Sequence, residues 1–352
     1  MKHTVFITGA AGYVGAMLVR RFSARPDVSL VIGLDKEARP ELLSGIQNLV
    51  WVEKNTADAW EDEVKKLSPT IVIHAAWQIR EMYGQKELQW LWNVTGSEKV
   101  FEFAFSVPSV TRLVHFSTVA SYGAFPLNTV EHLFTEDEPF RKTDYLYAEE
   151  KRIAEERLHE KYLALKNAGK KLPQVSIIRP AAITGPRGRY MRIRFGLQAA
   201  LSGQLRESFI HRLISAMVSF VPVTEKWCRQ FIHEDDVVSI VEILAFGPAK
   251  GSAYEAFNIC PPGDVVRGPD MASAVGKKPI RIHPYLIRIV FFIMWHISHG
   301  KVPTSRGGWK SYSYPIAVDG SKLTRLYGFR YTFSSKDAFV KKEGEYMKFI
   351  KQ

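Results

Sequence analysis

Short runs of β-branched, aliphatic and aromatic residues alternate with longer stretches of helical period through the first half of the chain. Residues 4–8, Thr-Val-Phe-Ile-Thr, stop at Gly9, and residues 14–22 then read as a helix. A second apolar run, 29–34, ends at Asp35. A third, 70–74, follows a helical stretch at 60–67, and a fourth, 112–117, follows one at 90–105. The next helix, 147–167, carries Ile153, Ala154, Leu158, Tyr162 and Leu165 on one stripe, and residues 174–179 form another strand. This alternation predicts βαβ units: an α/β fold with a doubly wound parallel sheet covered on both faces.

Past Pro180 the pattern loosens. Gly185-Pro186-Arg187-Gly188 is a turn, residues 191–205 read as a helix, and residues 231–246 as a strand followed by a helix. The expected organisation is a nucleotide-binding domain at 1–180 and a smaller α/β lobe, mainly for substrate, at 181–352. The chain is expected to cross back to the first domain around 230–260. No internal repeat or low-complexity tract interrupts it.

Composition adds exclusions. Of 352 residues, 46% are hydrophobic and 24% charged, with 24 Gly and 18 Pro, which excludes disordered, collagen-like and coiled-coil chains. Cys228 and Cys260 form no CxxC pair, so neither a disulfide framework nor a cysteine zinc site is expected. His283, His296 and His299 lack carboxylate or cysteine companions, and no metal site is expected. The opening MKHTVFITGA has no apolar region of signal-peptide length, and the longest apolar stretch, 286–297, is broken by Arg288 and His296. A spanning helix needs about 20 apolar residues. The expectation is a cytoplasmic protein without a transmembrane segment, with peripheral membrane contact left open.

The turn after the first strand reads Thr8-Gly9-Ala10-Ala11-Gly12-Tyr13-Val14-Gly15. Glycines at 9, 12 and 15 permit a tight turn, close approach of a pyrophosphate, and close helix–strand packing. The helix behind them offers N–H groups and a partial positive charge to phosphates. Asp35 ends the next strand, where a carboxylate meets both ribose hydroxyls and repels a 2′-phosphate. These features specify a Rossmann-type dinucleotide site preferring NAD; Lys36 and Arg39 close by keep NADP open.

Tyr147 and Lys151 lie four residues apart, on one face of a helix. An ammonium beside a phenol lowers its pKa, fitting the tyrosine to exchange a proton with a hydroxyl or carbonyl while hydride moves to or from a nicotinamide. Ser117, Thr118 and Ser121 form a hydroxyl cluster at a strand end, where parallel sheets place ligands.

These motifs together resemble the extended short-chain dehydrogenase/reductase family, also called the NAD-dependent epimerase/dehydratase family. The resemblance covers nearly the whole chain. It continues through Ile73-His74-Ala75-Ala76, Asn93 to Gly96, Arg179-Pro180, Gly185-Pro186-Arg187, Gln230 to Asp236, Phe257-Asn258, and the closing Asp319, Lys322-Leu323 and Leu326 to Phe329. It implies Tyr147 as acid/base, Lys151 as its partner and a ribose contact, and Thr118 as the hydroxyl orienting the substrate oxygen, with Ser117 as fallback. Tyr13 and Val14 are implied at the diphosphate, Ala75, Ala76 and Asn93 along the dinucleotide, and Thr56, Ser117 and Pro180 among the cofactor contacts. Asn55 stands where many members carry an adenine-contacting acid. Trp77, Thr118, Arg187 and Arg229 are implied on the substrate side. A homodimer through a four-helix interface that includes residues 147–167 is also implied.

The departures narrow the reaction. Sugar-nucleotide dehydratases of this family carry Asp-Glu directly after the catalytic threonine; this chain has Val119-Ala120, so epimerisation or dehydrogenation is expected and dehydration is not. The stretch 218–229 lacks the glycine of nucleotide-sugar members, although Arg187, Arg189 and Arg229 are suited to a diphosphate. The apolar runs 209–223 and 286–297 leave a hydroxysteroid-like alcohol as the alternative; otherwise they are core or dimer helices. Nucleotide sugar stands first. A non-catalytic dinucleotide-binding scaffold is the reading from another class, but Thr118, Tyr147 and Lys151 are all retained. No nucleic-acid-binding module is recognisable. The net charge of +12 is concentrated in two stretches: residues 179–229 hold nine Lys and Arg against two acids, and residues 277–310 hold seven against none. The partner is therefore expected to be a phosphate-bearing substrate, or an anionic membrane that holds an apolar one.

Overall fold

The computed structural model describes residues 2–188, 220–263, 265–274, 277–302, 304–341 and 343–349. The helix expected at 191–205, Arg189 and most of the run 209–223 lie outside these residues. The first 180 residues supply β1 (His3–Thr8), β2 (Val28–Asp35), β3 (Leu49–Glu53), β4 (Ile71–His74), β5 (Arg112–Phe116) and β6 (Gln174–Pro180). Four short strands follow, β7 (Ala182–Thr184), β8 (Phe220–Val223), β9 (Cys228–Arg229) and β10 (Phe231–His233), and then β11 (Tyr254–Ile259). One seven-stranded parallel sheet has the order β11-β6-β5-β4-β1-β2-β3. This is the doubly wound Rossmann order, extended at one edge by β11.

Alternation along β1 builds two cores. Val5 and Ile7 face α1 (Tyr13–Ser23) and a helix from beyond β10, Glu234–Phe246. Phe6 faces α2 (Glu61–Lys65), α4 (Gly96–Ser106) and α5 (Leu146–Asn167), where it meets Trp60 and Phe103. Between α2 and α4 lies α3 (Lys86–Trp90), and we label the helix Glu234–Phe246 α6. Phe6 is wholly buried, and such a side chain contributes about 1.5–3 kcal/mol relative to exposure. On α5 the expected stripe is only partly inward: Ala154, Leu158 and Tyr162 are buried, Ile153 and Leu165 half-buried.

Two sheet strands escape the sequence pattern, β3 and β11. Leu49–Glu53 is an edge strand with a half-exposed Trp51, preceded only by a three-residue turn, Glu41–Leu43, so no helical stretch sets it off in the sequence. β11 carries Glu255 at its outer end, ion-paired with Lys322.

Beyond the sheet, a separate core brings together Val223, Trp227, Phe231, Val266, Met271 and Ala338. The short strands pair as β10 with β7, β12 (Val266–Arg267) with β9, and β13 (Lys278–Arg281) with β8. The apolar stretch at 286–297 belongs to a helix, α7 (Pro284–Ile297), with only Ile287 and Trp295 buried. It is neither a core helix nor, among the described residues, long enough to cross a membrane.

Candidate active site

Parallel pairing puts the C-terminal ends of β1, β2, β4, β5 and β6 along one edge, with Thr8 opposite both Leu34 and His74. The order reverses between β1 and β4, and a cavity of about 1030 Å³ opens over that switch point. Its walls include every expected cofactor residue: Gly9, Gly12, Tyr13, Val14, Gly15, Asp35, Asn55, Thr56, Ala75, Ala76, Asn93, Ser117, Tyr147, Lys151 and Pro180. Of the expected substrate residues, Trp77, Thr118 and Arg229 line it as well.

Close approach dictates the glycines. Gly9 has φ +71°, and a Cβ there would lie 2.6 Å from the Ala76 nitrogen; at Gly15 it would lie 2.0 Å from the Gly9 carbonyl oxygen. Gly12 starts α1 without a side-chain cap, so the helix presents its N-terminus to the cavity. Asp35 accepts from Ala11 N–H at 2.9 Å and Glu37 N–H at 3.0 Å; burial nevertheless raises its pKa. Lys36 sits over the Trp92 ring at 4.4 Å and beside Glu37 at 3.7 Å. Arg39 is turned onto the Leu43 and Ile46 carbonyls and does not line the cavity. Asp35 and Glu37 both line this part of the cavity, with Lys36 held between Trp92 and Glu37, and the groove fits NAD. Asn55 lines it too, its Oδ1 accepting from Ala57 N–H at 2.9 Å.

Asn93 lies in a π-helical turn, Leu91–Thr95, a device that re-aims side chains at functional sites. Its Oδ1 accepts from Gln78 N–H at 2.7 Å, and its amide donates to Gln78 O at 3.0 Å and Glu150 Oε2 at 2.6 Å. That pins the Trp77–Gln78 segment to α5.

Thr118 lies two residues past β5 and begins a tight turn, its Oγ1 accepting from Ala120 N–H at 3.2 Å. Thr118 and Tyr147 line the cavity together; burial raises the phenol's pKa and the Thr118 side chain opposes the rise. The Lys151 ammonium is buried, donates to Phe116 O, and lies 3.6 Å from the Trp77 ring centroid. Burial pulls its pKa well down. The expected lowering of the tyrosine by the lysine is thus absent from this geometry, because the ammonium is turned to a carbonyl and a ring face. Ser117 is buried beside it, its hydroxyl without a partner among the described residues.

Arg187 goes elsewhere. Its guanidinium donates to the Tyr13 carbonyl, and its N–H donates to Glu234 at 3.1 Å, so it braces the glycine turn from behind and does not line the cavity. Glu234 also accepts from the Tyr13 hydroxyl and from Gly188 N–H at 3.0 Å. Arg80, which no sequence motif singles out, lines the cavity and shares the neighbourhood of Tyr312 with Arg229. Nothing in the pattern around residue 80 marks it, since its place depends on the Asn93 clamp. The isolated histidines have other partners: His283 caps α7, and His296 lies 3.1 Å from the Tyr83 hydroxyl.

The fold is shared with solved structures. WbmG of Bordetella bronchiseptica, solved with NAD and UDP, superposes with TM-score 0.69 at 20% identity, covering 96% of this chain and 92% of that one. MoeE5 with UDP-glucuronic acid and NAD gives 0.65 at 21%, covering 96% and 97%. A UDP-glucose 4-epimerase of Thermotoga maritima with UDP-glucose gives 0.66 at 19%, covering 96% of each. No curated protein sequence matches. A family model for the NAD dependent epimerase/dehydratase family matches residues 5–260, and the chain belongs to that family of extended short-chain dehydrogenase/reductase enzymes.

Proposed function

We propose that the protein uses NAD to oxidise a carbinol carbon of a nucleotide sugar, as an epimerase or a dehydrogenase. One observation carries the reading. The Thr118 and Tyr147 side chains, the dinucleotide groove and two arginines, Arg80 and Arg229, line a single cavity whose acids, among the described residues, are Asp35 and Glu37. The bound cofactor supplies a hydride acceptor and donor. The chain's own residues do the rest: Thr118 holds the reacting oxygen, and Tyr147 exchanges its proton. Lys151 secures the ribose side, and the two arginines suit a diphosphate.

Val119 and Ala120 line the cavity next to Thr118 and carry no acid or base, which supports redox chemistry without elimination of water. No residue of α7 lines the cavity, so that helix gives an apolar alcohol no pocket. The solved relatives with UDP, UDP-glucuronic acid and UDP-glucose support the substrate class.

The experiment incubates purified protein and NAD with UDP-, GDP- and dTDP-sugars and a sterol, following reduced-nicotinamide absorbance and product stereochemistry. Turnover of a nucleotide sugar is expected. Tyr147→Phe is expected to lower it about 10²–10⁴-fold while NAD affinity stays within about twofold, because only the proton-exchanging hydroxyl is lost. Full activity in that variant overturns the mechanism, and turnover of the sterol alone overturns the substrate class.

A further inference from the structure

The uncovered face of α7 has no role in the cavity. Leu286, Ile289, Val290, Phe292, Ile293 and Ile297 are all exposed, Phe292 by 66% and Ile297 by 73%. At about 100° per residue they share a sector roughly 160° wide. The opposite side is fixed to the protein: Ile287 and Trp295 are buried, and Phe291 meets the Tyr312 ring at 5.3 Å. The helix has 14 residues, or about 21 Å of length. That is shorter than a hydrocarbon core of about 30 Å.

The charge around this face identifies what covers it. Residues 277–310 carry seven Lys and Arg and no acid. Lys278, Arg281, Arg288 and Lys301 are exposed and form no ion pair among the described residues. A second copy seated on the same face would bring two such basic rims together, which like-charge repulsion opposes. An anionic lipid surface satisfies both parts, with acyl chains receiving the apolar face and phosphates meeting the rim.

We propose that α7 and its basic rim dock the enzyme in the plane of an anionic membrane surface. The packed side of α7, behind the docked face, connects through Tyr312 to the cavity wall. Tyr312, which carries Phe291 on α7, also lies under the Arg229 guanidinium at 4.8 Å, and Arg229 lines the cavity.

The test is flotation of the full chain with vesicles of phosphatidylcholine alone or mixed with phosphatidylglycerol, at low and high salt, alongside light scattering. Binding to the mixed vesicles at low salt is expected, weakened by salt and absent with phosphatidylcholine alone. Ile289→Glu/Phe292→Glu is expected to abolish it with NAD-induced thermal stabilisation retained. Lys278→Ala/Arg281→Ala, on an exposed strand away from the packed face, is expected to weaken it about thirtyfold. Three results overturn the proposal: no binding to the mixed vesicles at low salt, unchanged binding in both variants, or a wild-type dimer that Ile289→Glu/Phe292→Glu converts to monomer without any vesicle binding.

Discussion

His74 is wholly buried, with Nδ1 2.7 Å from the Thr8 hydroxyl and Nε2 2.8 Å from that of Ser97. Burial, with Lys151 nearby, pushes its pKa down to about 3. The unfolded chain protonates this imidazole near pH 6.5, so between those values the unfolded state binds the extra proton and stability falls as pH drops. The slope from this group is about 1.4 kcal/mol per pH unit. His115, stacked on His74 at 5.3 Å and also held well below its usual range, adds to it. Denaturation midpoints taken from pH 7 to 4 should therefore fall steeply, and His74→Gln should remove about one proton from the dependence. Asp35 sets a second expectation. Asp35→Ser removes the charge facing a 2′-phosphate and should raise NADP affinity relative to NAD about tenfold, read by titration of the two cofactors.

At the scale of elements, α5 shows how charge in a sequence misleads. Its alternating acids and bases read as a solvated face, yet Glu150, Lys151 and Glu155 are buried. Glu155 takes Arg179 Nε at 3.0 Å, and Arg179 also donates to the Tyr122 hydroxyl at 2.7 Å and Glu136 O at 3.2 Å. That network ties β6 to α5 and so fixes the helix that carries Tyr147 and Lys151. Glu155→Ala leaves the arginine buried without its counter-charge and should cost about 3–5 kcal/mol, measured by urea unfolding. The expected stripe of apolar residues along α5 was correct only where a neighbour covers it, at Ala154, Leu158 and Tyr162.

Across the whole molecule, the nucleotide domain and the later chain are joined at Glu234, which accepts from Tyr13 on the glycine turn and from the Arg187 and Gly188 amides. Cofactor binding should therefore stabilise the folded chain as a unit, by about 2.7 kcal/mol at a hundredfold excess over Kd. Glu234→Ala releases Tyr13 and should cost about 1.5–3 kcal/mol of NAD affinity. Calorimetry checks both, and an unaltered NAD affinity in that variant would show the turn to be held without the glutamate.

The sequence by itself determined the glycine turn, Asp35, the hydroxyl cluster and Tyr147/Lys151, because each is required locally: a turn with φ +71° at Gly9, a strand end, one face of a helix. It also located most sheet strands along the chain, as apolar runs between helical stretches. Tertiary structure alone decided which charges are buried and where the arginines point. Arg187, expected on the substrate side, is consumed bracing Tyr13, while the unremarked Arg80 reaches the cavity. It likewise decided that the apolar run of α7 is a surface. Hydropathy records only that a residue prefers to leave water; which neighbour receives it depends on packing from segments far away in the chain.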